Sequence, residues 1–123
     1  RMVNPMLVKG QIHGGVAQGV GQGLFEDLTY DPATGQLLAG TFMDYAMPRA
    51  DDMPGFDVDS HEVPTQANPL GAKGVGEAGT VGALPALLNA VNDALAPLGV
   101  RHLDMPVTPE RVWRAIRDAR AAR

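Results

Sequence analysis

Apolar residues recur at helical spacing in three parts of the chain. The first part covers residues 9 to as far as 28. The second begins at Thr80 or Gly82 and continues to about residue 96. Pro85 fits the first turn of this second predicted helix. The third begins at Thr108-Pro109-Glu110, which offers an N-cap hydroxyl, a proline at the first helical position and an acid in the first turn. The apolar stripe of the first predicted helix consists of Ile12, Val16, Val20, Leu24 and Leu28.

The side opposite that stripe carries glycines and glutamines. Gln11, Gln18 and Gln22 fall in a narrow sector at helical spacing. The six glycines in the segment would cost several kcal/mol, at roughly 1 kcal/mol each relative to alanine. The helix must therefore be held by tertiary packing, and its Gly/Gln face lies either against another backbone or against a polar ligand.

Three segments between the helices favour β-strands, at residues 25–30, 36–45 and 56–63. Asp31-Pro32-Ala33-Thr34-Gly35 separates the first two and places proline and glycine where a type I turn with a left-handed residue requires them. The first two strands are therefore predicted to form an antiparallel hairpin. The predicted fold class is α/β, with at least three helices packed on a small antiparallel hairpin or sheet.

Composition narrows the possible functions. The chain has 123 residues, enough for one small domain, and a net charge of −4, which argues against a nucleic-acid binder. It has no cysteine, which excludes disulfides, thiolate zinc sites and cysteinyl iron–sulfur ligands within this chain. The three histidines lack metal-ligand spacing, and no stretch approaches about 18 apolar residues, so neither a metal site nor a membrane span is predicted.

One carboxylate lies in a glycine-rich run just before the second predicted helix. The run reads Lys73-Gly74-Val75-Gly76-Glu77-Ala78-Gly79-Thr80. Glycines let a ligand approach the main chain, and a helix start suits an anion. Glu77 is either a helix-start charge or a base placed beside a bound anionic group, and the rest of the chain favours the base. Gly74 to Gly79 has G-x-G-x-x-G spacing, but the missing strand before it argues against a dinucleotide-binding Rossmann unit.

Four motifs in order carry a family resemblance. They are residues 10–22, GQIHGGVAQGVGQ; residues 41–48, TFMDYAMP; residues 68–79, NPLGAKGVGEAG; and residues 108–113, TPERVW. Together they resemble the C-terminal end of the molybdopterin-binding large subunit of the xanthine dehydrogenase, aldehyde oxidase and aerobic carbon monoxide dehydrogenase family. The residues at the motif positions are most similar to those of the carbon monoxide dehydrogenase large-chain group. The resemblance implies that residues 1–123 are one incomplete portion of a larger molybdenum-cofactor-binding domain.

The resemblance also implies roles for individual residues. Glu77 matches the family's general base, which takes a proton from the hydroxyl on molybdenum, and Gln18 matches a glutamine that contacts the cofactor. No residue here is expected to ligate the metal, because the pterin dithiolene holds it. Further candidates for binding the molybdopterin cytosine dinucleotide are Gln11, Gln22, Gly14, Gly15, Gly19, Lys73, Gly74, Val75 and Gly76.

The family's large subunit is several times longer than this chain, so the chain is expected to be a fragment. The first residues, Arg1-Met2-Val3-Asn4-Pro5, lack the apolar run of a signal peptide and are expected to lie inside a longer protein. Alone, the chain should be inactive, lack stoichiometric cofactor and possess apolar faces that favour self-association. The implied partners are the upstream remainder of the subunit and iron–sulfur and FAD subunits or domains, in the cytoplasm or the periplasm.

The substrate remains open among aldehydes, purines, nicotinate-like rings and carbon monoxide. The alternative function is a non-catalytic fragment or small module that contacts proteins through its glycine-rich helix face.

Overall fold

Three α-helices carry the regular structure of residues 1–122, the part of the chain described by the structure, a computed structural model. Extended segments and turns connect them. In chain order the helices are α1, Pro5–Leu24; α2, Ala78–Leu95; and α3, Pro109–Ala121, with single 3-10 turns at Ala50–Asp52 and Ala96–Leu98.

Capping residues set where the helices begin. Asn4 caps α1 by accepting a hydrogen bond from the Leu7 N–H at 3.1 Å, so α1 starts four residues before the predicted position. Thr108 caps α3 as predicted. The prediction for α2 was wrong at its start, because α2 begins at Ala78, and Pro85 therefore lies in the helix interior. Gly99 ends the following 3-10 turn with φ of +92°.

The predicted α/β class is wrong, because residues 1–122 form no sheet. The turn at residues 31–35 is confirmed, with Gly35 at φ +72°, but only an isolated antiparallel bridge between Tyr30 and Leu37 follows from it. A second turn ends the pairing, since the Tyr45 N–H donates to the Thr41 carbonyl at 2.8 Å. Residues 56–63 are extended but lie outside any sheet, and an unsupported two-stranded hairpin is marginal in water.

The carboxylate of Asp31 organises the confirmed turn. Its Oδ1 accepts a hydrogen bond from the Ala33 N–H at 2.8 Å, and this bond lowers the pKa of Asp31 below its ordinary 3.8. A lowered folded-state pKa means that the turn is stabilised above the unfolded-state value, and that this stabilisation is lost as the pH falls through the folded-state value. A carboxyl carbon NMR titration should give Asp31 a midpoint below 3.8. A midpoint at or above that value would contradict the bond.

The two long helices cross with their backbones in contact. A Cβ on Gly15 would lie 2.9 Å from the Thr80 nitrogen, and one on Gly79 would lie 2.6 Å from the Ile12 carbonyl oxygen. The Thr80 hydroxyl also donates to the Gly15 carbonyl oxygen at 3.1 Å. Glycine on α1 therefore packs against backbone, which was one of the two hypotheses for its Gly/Gln face. The glycines of α1 that are buried against α2 are Gly15, Gly19 and Gly23.

The buried apolar core is small. The only large-to-medium apolar residues buried among residues 1–122 are Leu95, Val100 and Val107, besides Ala39. The chain exposes 9112 Å² of surface, whereas a compact monomer of this mass would expose about 6,300 Å². Much of the predicted α1 stripe is only half-buried, and Leu28 is exposed. The folded chain thus leaves extensive apolar surface uncovered.

One described helix is long and apolar enough to span a membrane, although no span is predicted from the sequence. It is α2 with its 3-10 extension, Ala78–Leu98, 21 residues long with a mean hydropathy of 1.2. Core helices of water-soluble proteins meet the same criterion, and α2 packs along α1. A single helix of this kind is weak evidence for a span.

Candidate functional site

A rigid loop brings the glycine-rich run to α1. The Asn68 side chain holds Ala72 at both ends, because Nδ2 donates to the Ala72 carbonyl at 2.8 Å and Oδ1 accepts from the Ala72 N–H at 3.1 Å. Gly71 takes the left-handed conformation, with φ of +67°, and closes the turn by donating to the Asn68 carbonyl at 3.0 Å. This Asn-Pro-Leu-Gly turn fixes the position from which Lys73 and the residues after it depart.

The glycine-rich run and the start of α1 share one cavity. A Cβ on Gly76 would lie 3.9 Å from Nε2 of Gln11, so the glutamine amide lies over the run. An open cavity of about 570 Å³ is lined by Gln11, Lys73, Gly74 and Val75. Four residues predicted to bind the cofactor, from segments about 60 positions apart, therefore lie together.

Glu77 occupies the N-cap position of α2. Its side chain makes no capping hydrogen bond, and its φ of −104° and ψ of 0° lie outside the usual N-cap conformation. The residue is exposed and follows Gly76 directly. It is not among the residues that line the shared cavity. Glu77 therefore lies at the edge of the site, and its carboxylate has no capping role in α2.

The other two glutamines belong to a second cavity. Gln18 and Gln22 line a pocket of about 290 Å³ together with Glu26 and Tyr45. Gln22 lies 11 residues after Gln11 on α1, which corresponds to about 16 Å along the helix axis. The three glutamines therefore line two separate cavities beside α1 rather than one patch.

The three candidate glycines of α1 differ in surroundings. Gly15 and Gly19 are buried in the crossing with α2, and a Cβ on Gly19 would lie 2.7 Å from that of Ala83. Gly14 is exposed, and a Cβ placed on it would meet no atom within 4 Å. The structure thus gives Gly15 and Gly19 a packing position and leaves only Gly14 open to a ligand.

Two polar residues of the second cavity were not identified from the sequence. The Tyr45 hydroxyl donates to Oε2 of Glu26 at 2.6 Å. That hydrogen bond raises the pKa of Tyr45 above its ordinary 10.0, with burial and the carboxylate charge adding to it. The sequence signal for Tyr45 was its place in the motif at residues 41–48, where it was assigned only to the end of a strand.

Three residues of the largely apolar first cavity suit an anionic, hydrogen-bonding ligand. Lys73 offers a positive charge, Gln11 offers an amide, and Gly74 has open space where a side chain would stand. Within residues 1–122, no cluster of three or more His, Asp or Glu side chains is placed to bind a metal ion.

Comparisons with known proteins show what this chain is similar to. Residues 1–54 match the molybdopterin cofactor-binding domain family. The chain is 49% identical to the nicotine 6-hydroxylase large subunit of Paenarthrobacter nicotinovorans over 93% of its own length, and 43% identical to the carbon monoxide dehydrogenase large chain of Hydrogenophaga pseudoflava over 94%. It covers 14% of each of these relatives.

A solved structure matches in fold as well. The crystal structure of quinoline 2-oxidoreductase from Pseudomonas putida 86 superposes with a TM-score of 0.90 at 46% identity, over 95% of this chain and 15% of that one. The xanthine dehydrogenase molybdenum-binding subunit of Escherichia coli O157:H7 is also similar, at 33% identity over 91% of this chain and 14% of that subunit. Nearly the whole chain is therefore similar to one segment of the large and molybdenum-binding subunits of the xanthine dehydrogenase and carbon monoxide dehydrogenase family.

Proposed function

We propose that this chain forms part of the cofactor site of a molybdenum hydroxylase, an oxidoreductase whose large subunit includes this segment. The observation that carries the proposal is the convergence of Gln11 and residues 73–75 on one cavity, with Gly76 next to the Gln11 amide at the start of α2. When bound, the molybdenum cofactor supplies two-electron oxidation and the oxygen transferred to an electron-poor carbon. The residues of this chain bind that cofactor and accept a proton during the reaction.

The first cavity is proposed to hold the pterin end of the cofactor. Lys73 attracts anionic groups as a point charge, and Nε2 of Gln11 can donate a hydrogen bond. Open space at Gly74 lets a flat ring approach the main chain there. Hydrogen bonds from backbone amides near a helix start favour negative charge.

The second cavity is proposed to hold the far end of an extended cofactor. The separation of about 16 Å between Gln11 and Gln22 exceeds the reach of a single ring system, whereas a dinucleotide can contact both cavities. The amides of Gln18 and Gln22 donate and accept, and Glu26 accepts. This combination suits a nucleobase edge with both donors and acceptors, and the cytosine dinucleotide is the form that we propose.

Glu77 is proposed to act as the general base. A general base needs a carboxylate that can form a hydrogen bond to the reacting group. The Glu77 carboxylate makes no capping hydrogen bond to α2, so it can form one. Its place directly after the glycine-rich run puts it next to the residues that would bind the pterin. In the reaction its carboxylate oxygen accepts a proton and releases it to solvent.

The assembled enzyme is proposed to contain the rest of the large subunit together with iron–sulfur and FAD partners, in the cytoplasm. Relatives that match this chain are named large subunits or large chains, which implies companion subunits. The alternative, a module that contacts proteins through its glycine-rich face, is not supported, because Gly15, Gly19 and Gly23 are already buried against α2.

Cofactor retention tests the binding role. We expect the double substitution Gln11→Ala and Gln18→Ala in the full-length large subunit to lower molybdenum and pterin nucleotide content about tenfold, because two lost neutral hydrogen bonds, at about 0.5–1.5 kcal/mol each, together cost about 1–3 kcal/mol of binding free energy. Molybdenum is measured by elemental analysis, and the nucleotide by chromatography after acid release.

The matched control for cofactor retention is Asn89→Ala, which removes an exposed amide from α2 away from both cavities. The control should keep the full content of metal and nucleotide. Wild-type content in the double variant would refute the two-cavity proposal. Release of a pterin without any nucleotide would refute its dinucleotide part alone.

A further inference from the structure

The turn at residues 41–45 carries the two most exposed large apolar side chains of residues 1–122. Phe42 is 79% exposed and Met43 is 93% exposed. Further exposed apolar residues adjoin them before and after the turn. We call this set the Phe42 ridge, and it consists of Leu28, Leu38, Phe42, Met43 and Met47.

Hydrogen bonds within the turn hold the tip of the ridge. The Thr41 hydroxyl donates to Oδ2 of Asp44 at 2.9 Å and accepts from the Met43 N–H at 3.2 Å. The Tyr45 N–H closes the turn on the Thr41 carbonyl at 2.8 Å. Phe42 and Met43 therefore point outward from a turn that is internally fixed.

Two contacts fasten the turn to α1. The Tyr45 hydroxyl is bonded to Glu26, just beyond the end of α1, at 2.6 Å. Pro48 packs so closely on Gly21 that a Cβ on that glycine would lie 2.9 Å from the proline Cδ. The ridge is thus pre-organised, which lowers the entropy that a contact surface loses on binding.

Two clefts adjoin the ridge, and Phe42 lines both of them. The first, of about 440 Å³, is apolar and is also lined by Leu28 and Ala39. The second, of about 400 Å³, has a mixed lining, in which Met43 and Met47 lie beside Arg49 and Asp52. Exposed phenylalanine and methionine side chains beside an apolar cleft have the composition of the buried centre of a protein interface.

We propose that the Phe42 ridge docks this segment onto an apolar pocket in the remaining part of its own large subunit. This inference rests on the proposed function, in that it takes the segment to work within a large subunit. The matched relatives are about seven times longer than this chain, which covers 14% of them. The same fold occurs within a longer chain in the quinoline enzyme, at a TM-score of 0.90.

The amount of uncovered surface favours a large interface. The chain exposes 9112 Å², about 2,800 Å² more than a compact monomer of its mass. That excess is of the size that permanent interfaces bury. Asp44, the charged residue nearest the tip, is bonded to Thr41, so the tip itself is apolar and fits an apolar pocket.

Oxidation of Met43 in the full-length large subunit tests the docking. Hydrogen peroxide converts accessible methionine to its sulfoxide. We expect Met43 in the native subunit to oxidise at least about tenfold more slowly than in the same subunit unfolded in urea, as measured by peptide mass spectrometry. Oxidation of Met43 at the unfolded rate would overturn the proposal.

Two variants of the full-length subunit sharpen the oxidation test. Phe42→Ser removes the neighbouring knob and should raise Met43 oxidation at least about tenfold, whereas Val81→Ser, which alters an exposed apolar residue of α2 away from the ridge, should leave it unchanged. Equal rates in both variants would overturn the role of Phe42. Protection that disappears on dilution, together with a shift from dimer to monomer in sedimentation, would assign the ridge to a second copy and overturn the proposed occupant.

Molybdenum content measured on the same samples separates this proposal from the proposed function. A subunit without molybdenum in which Met43 is protected would keep the docking and remove the cofactor role. A subunit with molybdenum in which Met43 is freely oxidised would overturn the docking and keep the cofactor role.

Discussion

Replacing Glu77 by glutamine in the full-length large subunit is expected to lower turnover at least about 100-fold, the smaller end of the contribution of a general base. Glutamine keeps the size and polarity of the side chain but cannot accept a proton. Glu77 makes no capping hydrogen bond, so α2 should begin as before and the cofactor should stay bound. The measurement is kcat with an oxidisable substrate, alongside molybdenum and pterin content.

Two further variants control the Glu77 experiment. Glu77→Asp retains a carboxylate on a shorter side chain and should recover part of the lost turnover. Glu110→Gln removes an exposed glutamate of α3 that pairs with Arg114 at 2.6 Å and should leave turnover unchanged. Wild-type kcat in a Glu77→Gln enzyme with full cofactor content would eliminate Glu77 as the base.

Replacing Gly79 by alanine is expected to destabilise the chain by about 1–3 kcal/mol or more, the usual cost of overpacking a filled contact. The new Cβ would lie 2.6 Å from the Ile12 carbonyl oxygen and 3.0 Å from the Val16 nitrogen. Both atoms belong to the backbone of α1 and cannot rotate away, so the helices must separate. The measurement is the free energy of unfolding from urea titrations followed by circular dichroism.

Gly82→Ala provides a control for Gly79→Ala on the same helix. A Cβ at Gly82 meets no atom within 4 Å, so the substitution should stabilise α2 by about 0.5–1 kcal/mol through its helix propensity. The two glycine-to-alanine changes should therefore have opposite signs. A similar change in unfolding free energy for both would show that the two helix backbones do not touch in solution.

Local signals in the sequence predicted the helices better than the strands. Thr108-Pro109-Glu110 gave the start of α3 correctly, because a cap depends on residues that are neighbours in sequence. A strand depends on a partner strand, which a local pattern does not identify. Residues 36–45 are rich in apolar and aromatic residues, as a strand would be, but three of their apolar side chains, Leu38, Phe42 and Met43, belong to the outward Phe42 ridge instead.

The candidate site was predictable where a residue type has a specific chemical use. Gln11 and the run from Lys73 to Gly76 were selected from the family motifs, and the structure brings them together. The hydrogen bond between Glu26 and Tyr45 was not predicted. The two residues are 19 positions apart, and a local pattern does not identify a side-chain contact over that separation. The spacing of Gly15, Gly19 and Gly23 at intervals of four was a signal for close helix packing, but it did not exclude a ligand.

The close crossing of α1 and α2 has a consequence for engineering. Since the two backbones touch at Gly15 and Gly79, Gln11 on one helix and Glu77 at the start of the other move as one body. Under the proposed function, a change made elsewhere in the subunit to admit a different substrate would meet the same pair of helices, with the spacing of those two side chains preserved. New specificity could then be selected in other parts of the enzyme without rebuilding this one.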